Sequence, residues 1–334
     1  MLKNIAAFLS LILMGGAVCA TAQDLKADET IKVTTELVSV PVIVTDRQGR
    51  YVSELKQADF AILQDGIVQP IEFFGSTEEP VTVAILIDTS HSTRPVLDDI
   101  KDAAKSFVKL LKPADQAMIV CFDRGTHVLS PLTHDQEKLR KAIKNAEIPD
   151  AVGTTLRDAV YETVFTSFAG LTGRKAIIVL TDGRDGGSHI SVRNLLTRLE
   201  ETDTMIYSVQ FRPEEKLRIE RVLRTGTIAH GGRRFPSENA SKRRVRDEEL
   251  NEKAKEFLQN IAFVTAGRFS TSGSAQLKKT MEMILDELRR QYRLGFYPAQ
   301  EKAGEGVHEV KVRVSRPNLI VRARGSYRRQ NASD

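Results

Sequence analysis

Hydrophobic positions fall into two rhythms along the chain. Between Pro80 and Arg290, short runs that are almost wholly apolar alternate with longer stretches in which apolar residues recur at helical spacing. The runs are Val81 to Ile87, Gln116 to Phe122, Lys175 to Leu180 and Met205 to Phe211, with a shorter candidate at His127 to Leu129. Strands buried on both faces show continuous rather than alternating hydrophobicity, so these read as a mostly parallel sheet with helices on each side. Val96, Ile100, Ala104, Phe107 or Val108, and Leu111 share one helical face, with Pro95 near the first turn, where its missing N–H costs little. Leu139 with Ile143, Leu156 to Phe168, Val192 to Leu199, Glu249 to Ala266 and Ser274 to Gln291 continue the alternation. The expected fold class is α/β, doubly wound.

The flanks keep a different rhythm. In residues 23–78, Ile31 to Leu37, Val38 to Thr45, Phe60 to Leu63 and Val68 to Phe74 look like strands, with turn chemistry at Asp46-Arg47-Gln48-Gly49 and Asp65-Gly66. In residues 292–334, Tyr292 to Tyr297, His308 to Val314 and Leu319 to Ala323 repeat the pattern, separated by Pro298, a Gly304 to Gly306 loop and Arg316-Pro317-Asn318. Each flank alone is too small to bury much surface, so the economical expectation is that both pair into one β-sandwich beside the central domain, 79–291. Within that domain, Arg212 to Arg246 carries dense mixed charge and little apolar periodicity. The stretch 212–248 is therefore expected to be a charged surface insertion or mobile loop.

Length and composition narrow the class. At 334 residues the chain suits two or three domains. Met1 to Ala22 combines Lys3, an apolar stretch from Ile5 to Val18 and an A-x-A ending at Ala22, which reads as a secretory signal peptide. The mature chain is then expected in the periplasm or outside the cell. A lipid anchor at Cys19 is the weaker reading, because Val18 is larger than the small residue normally preceding such a cysteine. Removing the leader leaves Cys121 as the only thiol, so no intramolecular disulfide is expected, and its apolar surroundings suit a small buried hydrophobe. The formal charge of +5 is mild and argues solubility more than nucleic-acid binding. Asn239-Ala240-Ser241 and Asn331-Ala332-Ser333 match glycosylation acceptors and imply exposure.

Candidate chemistry gathers at strand ends. Asp88, Ser90 and Ser92 form D-x-S-x-S directly after the first buried run. Open α/β sheets bind ligands just beyond such ends. Gly153-Thr154 precedes a helix that Thr154 is expected to open, and Leu180-Thr181-Asp182-Gly183 puts Asp182 at the end of another run. Asp88, Ser90, Ser92, Thr154 and Asp182 thus offer hard oxygen ligands from three loops, a set that suits Mg2+, Mn2+ or Ca2+ and suits Zn2+ poorly. D-x-S-x-S alone is cheap, since Ser and Asp commonly cap helices; the other two loops reverse that judgement. His91 reads as an exposed loop residue, and Asp185 as a turn residue in Arg184-Asp185-Gly186-Gly187.

With Asp88-Thr89-Ser90-His91-Ser92, Gly153-Thr154 and Leu180-Thr181-Asp182-Gly183 in this order, Pro80 to about Arg290 resembles a von Willebrand factor type A domain with a metal-ion-dependent adhesion site. The flanks resemble acidobacterial secreted proteins related to that family, on Asp65-Gly66 to Phe73-Phe74 and Gln291-Tyr292-Arg293-Leu294-Gly295-Phe296-Tyr297-Pro298. The resemblance implies a Rossmann-like fold. It also implies Mg2+ bound directly by Ser90 and Ser92, by Thr154 directly or through water, and by Asp88 and Asp182 mainly through water. The ion would bridge to an Asp or Glu of a protein partner. A metal-dependent hydrolase or phosphatase using Asp88 is the competing expectation, weakened because Ser90 stands where an aspartyl phosphatase wants a second acid and no general base accompanies it. A structural envelope protein is the third.

Overall fold

The computed structural model describes residues 37–75, 79–150, 152–211, 238–298 and 306–329. The expected leader, the strand at Ile31 to Leu37 save its last residue, most of the charged insertion and the acceptor at Asn331 lie outside the described residues.

The central sheet has six strands. β5 (Val81–Asp88), β6 (Gln116–Phe122), β8 (Arg174–Thr181), β9 (Met205–Gln210) and β10 (Arg268–Thr271) are parallel, and β7 (Thr126–Thr133) runs antiparallel against β6 at one edge. The order β10-β9-β8-β5-β6-β7 places β5 and β8 side by side. The chain leaves β5 toward β6 and leaves β8 toward β9, so the winding reverses between them. A crevice opens at that point beyond the strand ends. Along β5, Val83, Ile85 and Ile87 face a core shared with helices α1 (Leu97–Leu110), α2 (Gln136–Lys144) and α6 (Leu277–Arg289). Ala84 and Leu86 face the opposite core, under α3 (Leu156–Glu162), α4 (Val192–Leu199) and α5 (Glu238–Val264). Strand alternation with both faces buried is why these runs carry no polar phase.

The flanks interleave. In one sheet β1 (Val38–Asp46) lies between β11 (Tyr292–Phe296) and β13 (Leu319–Ala323), with β4 (Phe73–Gly75) beyond β11. In the other, β12 (Gly306–Val314) lies between β2 (Phe60–Gln64) and β14 (Ser326–Arg329), with β3 (Ile67–Gln69) at the edge. Val40, Val42, Phe60 and Ile62 share one core with Tyr292, Leu294, Val310 and Val312. The two sheets thus form a β-sandwich from both ends of the chain. The intervening residue Ile43 points the other way, into the α1 side of the α/β core.

Several local expectations need correction. The strand expected over Val68 to Phe74 is two, β3 and β4, in different sheets. α5 begins at Glu238, not Glu249, so residues 238–248 of the expected loop are helical; Ala, Lys, Arg and Glu sustain a helix without an apolar face. The stretch from Leu156 to Phe168 is a short α-helix followed by a π turn at Thr163–Ser167. β10 and β14 escaped notice in the sequence because each is only four residues long.

Candidate functional site

Asp88 ends β5 with its side chain fully buried. Its Oδ1 accepts from the Ser90 amide at 2.9 Å, which tightens the turn so that the Ser90 and Ser92 hydroxyls lie 3.0 Å apart. The Thr93 hydroxyl donates to the carbonyls of Asp88 and Ser90, at 3.0 and 2.8 Å, and holds the turn from below. Asp88 Oδ2 accepts from the Thr181 hydroxyl at 2.6 Å, which ties the end of β5 to the end of β8 across the reversal point. Asp182 follows, nearly buried, its Oδ1 accepting from the Arg184 amide at 2.9 Å and its carbonyl from Gln210 Nε2 at 3.1 Å.

The second loop is fixed by its neighbours. Thr155 sends both its amide and its hydroxyl to the Asp123 carbonyl, at 2.7 and 3.1 Å. Gly153 sits at φ +154, and a Cβ there would lie 2.5 Å from Arg124 Cγ, so only glycine lets this loop pass. Thr155, not Thr154, is the N-cap position of α3, and neither hydroxyl caps it. Instead Asp185 Oδ2 accepts the Arg157 amide at 2.8 Å, and Ser188 Oγ accepts the amides of Arg157 and Asp158 at 3.1 and 3.3 Å. Asp185 therefore has the turn role expected of it, and additionally caps a helix from a distant loop. Thr154 is left at the cleft, its carbonyl accepting from the Gly187 amide at 2.9 Å.

These loops border a cleft of about 570 Å3. Ser90, Ser92 and Thr154 line it together with Val192, Leu250 and Phe257, while Asp88 at the end of β5 and Asp182 just after β8 are buried. Burial first, and the neighbouring Asp182 carboxylate second, push the Asp88 carboxyl well above the usual carboxylate range. Its hydrogen-bond partners are neutral. A buried Asp88 that meets neutral donors and the Asp182 carboxylate, next to the Ser90 and Ser92 hydroxyls, offers hard oxygens that fit a divalent cation. Among the described residues, no group of three or more His, Cys, Asp or Glu gathers as a metal site, so hydroxyls would have to carry the ligation. His91 is exposed, with Nε2 2.8 Å from the Pro149 carbonyl. Sequence reasoning missed Thr181, Thr93 and Asp123, which position the loops; the Thr-Asp pair closing β8 was the available signal.

A doubly wound α/β domain with hydroxyl-rich loops at its reversal point defines a class of ligand-binding domains. Residues 83–184 match the von Willebrand factor type A domain family. The matched span holds all of Asp88, Ser90, Ser92, Thr154 and Asp182. Solved structures similar to this chain share low identity with it. Proximal thread matrix protein 1 from the mussel byssus, described with a zinc-occupied MIDAS motif, is 18% identical over 73% of this chain and 51% of its own, with a TM-score of 0.48. The present chain thus spans about half of that protein. A von Willebrand factor type A protein from Catenulispora acidiphila is 13% identical over 81% of this chain and 72% of its own, with a TM-score of 0.46. BatB from Bacteroides thetaiotaomicron is 20% identical over 62% of this chain and 98% of its own, with a TM-score of 0.44. No curated protein matches this chain. Among the described residues, no helix is long and apolar enough to cross a membrane.

Proposed function

We propose that this protein is an exported binding module in which Asp88, Ser90, Ser92, Thr154 and Asp182 hold a Mg2+ ion and a partner protein supplies an Asp or Glu to it. The observation that supports the reading is that Ser90, Ser92 and Thr154 line one open cleft, with the buried carboxylates Asp88 and Asp182 at the ends of the adjacent strands β5 and β8. A divalent ion held largely by neutral hydroxyls keeps most of its charge and attracts a carboxylate from outside. The chain's own part is positional. Ser90 and Ser92 are aimed by the Asp88 turn, the Asp182 carbonyl is held by Gln210 next to the Thr181–Asp88 bond, and Thr154 is presented by a loop anchored on Asp123. This is recognition, and it needs no nucleophile or general base. The leader-like Met1 to Ala22 supports export, which N-terminal sequencing of the mature chain, expected to begin at Gln23, would test.

Calorimetric titration of the purified chain with Mg2+ tests the site. Saturable binding is expected in the native protein and loss of it in Asp88→Ala and Ser90→Ala; unchanged affinity in both variants would refute the ligand set.

A further inference from the structure

The cleft is lined by two chemically unlike sets of residues, hydroxyl-bearing and apolar, and together they specify more than an acid. Besides Ser90, Ser92 and Thr154, the cleft is lined by Leu250, Ala254 and Phe257, which recur at helical spacing along α5 as an apolar ridge, and by Val192 at the start of α4. The ridge is set close to the second carboxylate. Gly183, the residue after Asp182, has φ +84, and a Cβ there would fall 2.8 Å from Leu258 Cδ1 and 3.1 Å from Ala254 Cβ. The missing side chain is what brings the helix onto the loop.

The ridge is also left open. Leu250 is 43% exposed and Val192 38% exposed although both lie in a concavity, where an apolar occupant would gain most from burial. The cations around it outnumber the acid. Arg157 and Arg184 are held in place, Arg157 by the Ile190 carbonyl and Asp185, and Arg184 by Asn251. Lys253, one helical step from the ridge, is exposed and has no ion-pair partner among the described residues.

We propose that the cleft receives an extended peptide segment that pairs one carboxylate, at the hydroxyl-bearing residues, with a bulky apolar neighbour laid on the α5 ridge. This rests on the metal-bridged reading and adds which side chain must flank the acid. A volume of about 570 Å3 accommodates a few side chains, not a folded surface, which favours an exposed loop or a chain end as the occupant. Lys253 adds a preference for a second negative charge along the same segment.

Three fluorescein-labelled peptides test it by anisotropy in Mg2+ and in chelator: Gly-Ser-Leu-Glu-Leu-Ser-Gly, Gly-Ser-Ser-Glu-Ser-Ser-Gly and Gly-Ser-Leu-Gln-Leu-Ser-Gly. The Leu-flanked acid is expected to bind at least about tenfold more tightly than the Ser-flanked acid, as burial of a leucine side chain implies. The amide peptide should not bind. In a Leu250→Ser and Val192→Ser double variant the preference should shrink to about threefold or less. Both positions are part-exposed, so neither change opens the core, and Mg2+ titration of the variant checks that the proposed metal site is intact. Equal binding of the two acidic peptides, or a preference that survives in the variant, overturns the ridge while leaving the metal reading standing. Binding of the amide peptide, or binding indifferent to chelator, overturns the pairing in favour of a purely apolar ligand. Absence of Mg2+ binding in the native chain overturns the metal reading itself.

Discussion

At the carboxyl edge of the six-stranded sheet, Asp88 is buried beside Asp182 with a backbone amide and a threonine hydroxyl as its partners. At the opposite edge Glu287 of α6 is equally buried, but its oxygens receive the Tyr51 and Tyr207 hydroxyls at 2.9 and 2.8 Å and the guanidinium groups of Arg268 and Arg322. Those four residues come from the N-terminal flank, β9, β10 and β13, so one carboxylate rivets the sandwich to the α/β domain. Burial, then the negative charge of Glu287, pushes the Tyr51 phenol up to about 12, so it remains a donor. The same edge also buries two cations. Arg174 donates to the Leu288 carbonyl at 3.3 Å, and Arg324 donates to the Thr202 carbonyl at 2.7 Å, with burial lowering the Arg324 guanidinium to about 10. The contrast teaches how to tell a structural acid from a binding one. Where the protein supplies the countercharge, as at Glu287, the acid serves the fold; where it supplies neutral donors, as at Asp88, the acid is the candidate for a ligand from outside.

Substitutions at the two acids should therefore act in different currencies. Glu287→Ala takes the acceptor from the buried Tyr207 and half-buried Tyr51 hydroxyls and from two part-exposed guanidinium groups, and should cost about 3–5 kcal/mol in urea denaturation; a loss under about 1 kcal/mol would break the comparison from its structural side. Asp88→Asn should do the reverse. It relieves repulsion with Asp182, so the metal-free protein should stay within about 1 kcal/mol of native stability. The gain of about 2.7 kcal/mol expected for the native chain at a hundredfold excess of Mg2+ over Kd should vanish in this variant. A variant that unfolds without metal yet still responds to Mg2+ would sink the distinction.

Smaller effects sharpen the picture. Gly183→Ala meets both an unfavourable φ and the side chains of α5, and should destabilise by about 1–3 kcal/mol. Gly49→Ala, with a similar φ of +78 but nothing within 4 Å, supplies the backbone part alone. The difference between the two in parallel denaturation measures how firmly α5 presses on the loop after β8, and no difference would mean it does not. His91→Ala should change Mg2+ affinity by no more than about 0.5 kcal/mol, because the exposed ring reaches only the Pro149 carbonyl. A larger loss in calorimetry would make the histidine part of the site.

The central sheet was legible because burial on both faces writes an unmistakable run of Val, Ile and Leu, as in β5 and β8. The pairing of the flanks was legible from what neither could bury alone. Short edge strands were not, since Arg268–Thr271 has a single strongly apolar residue, Phe269. At the candidate site, the closeness of the Ser90 and Ser92 hydroxyls could be read from spacing, because a turn of alternate residues is a local event. Their supports could not. That Thr181 reaches Asp88, that Asp185 caps α3 and that Asp123 anchors Thr155 are contacts between segments 28–93 positions apart, which no local pattern records.

The interleaved sandwich fixes the order in which the molecule can be assembled. β1 pairs with residues 292–296 on one side and 319–323 on the other, so its partners are made last. The stretch from Val81 to Arg289 is continuous and closes mostly shorter loops, which favours its earlier collapse. A nascent or truncated chain that stops before Leu319 leaves β1 with a row of unpaired amides and carbonyls along one side, the kind of edge on which chains aggregate. Completion of the C-terminus is thus the event that makes the chain safe from its neighbours.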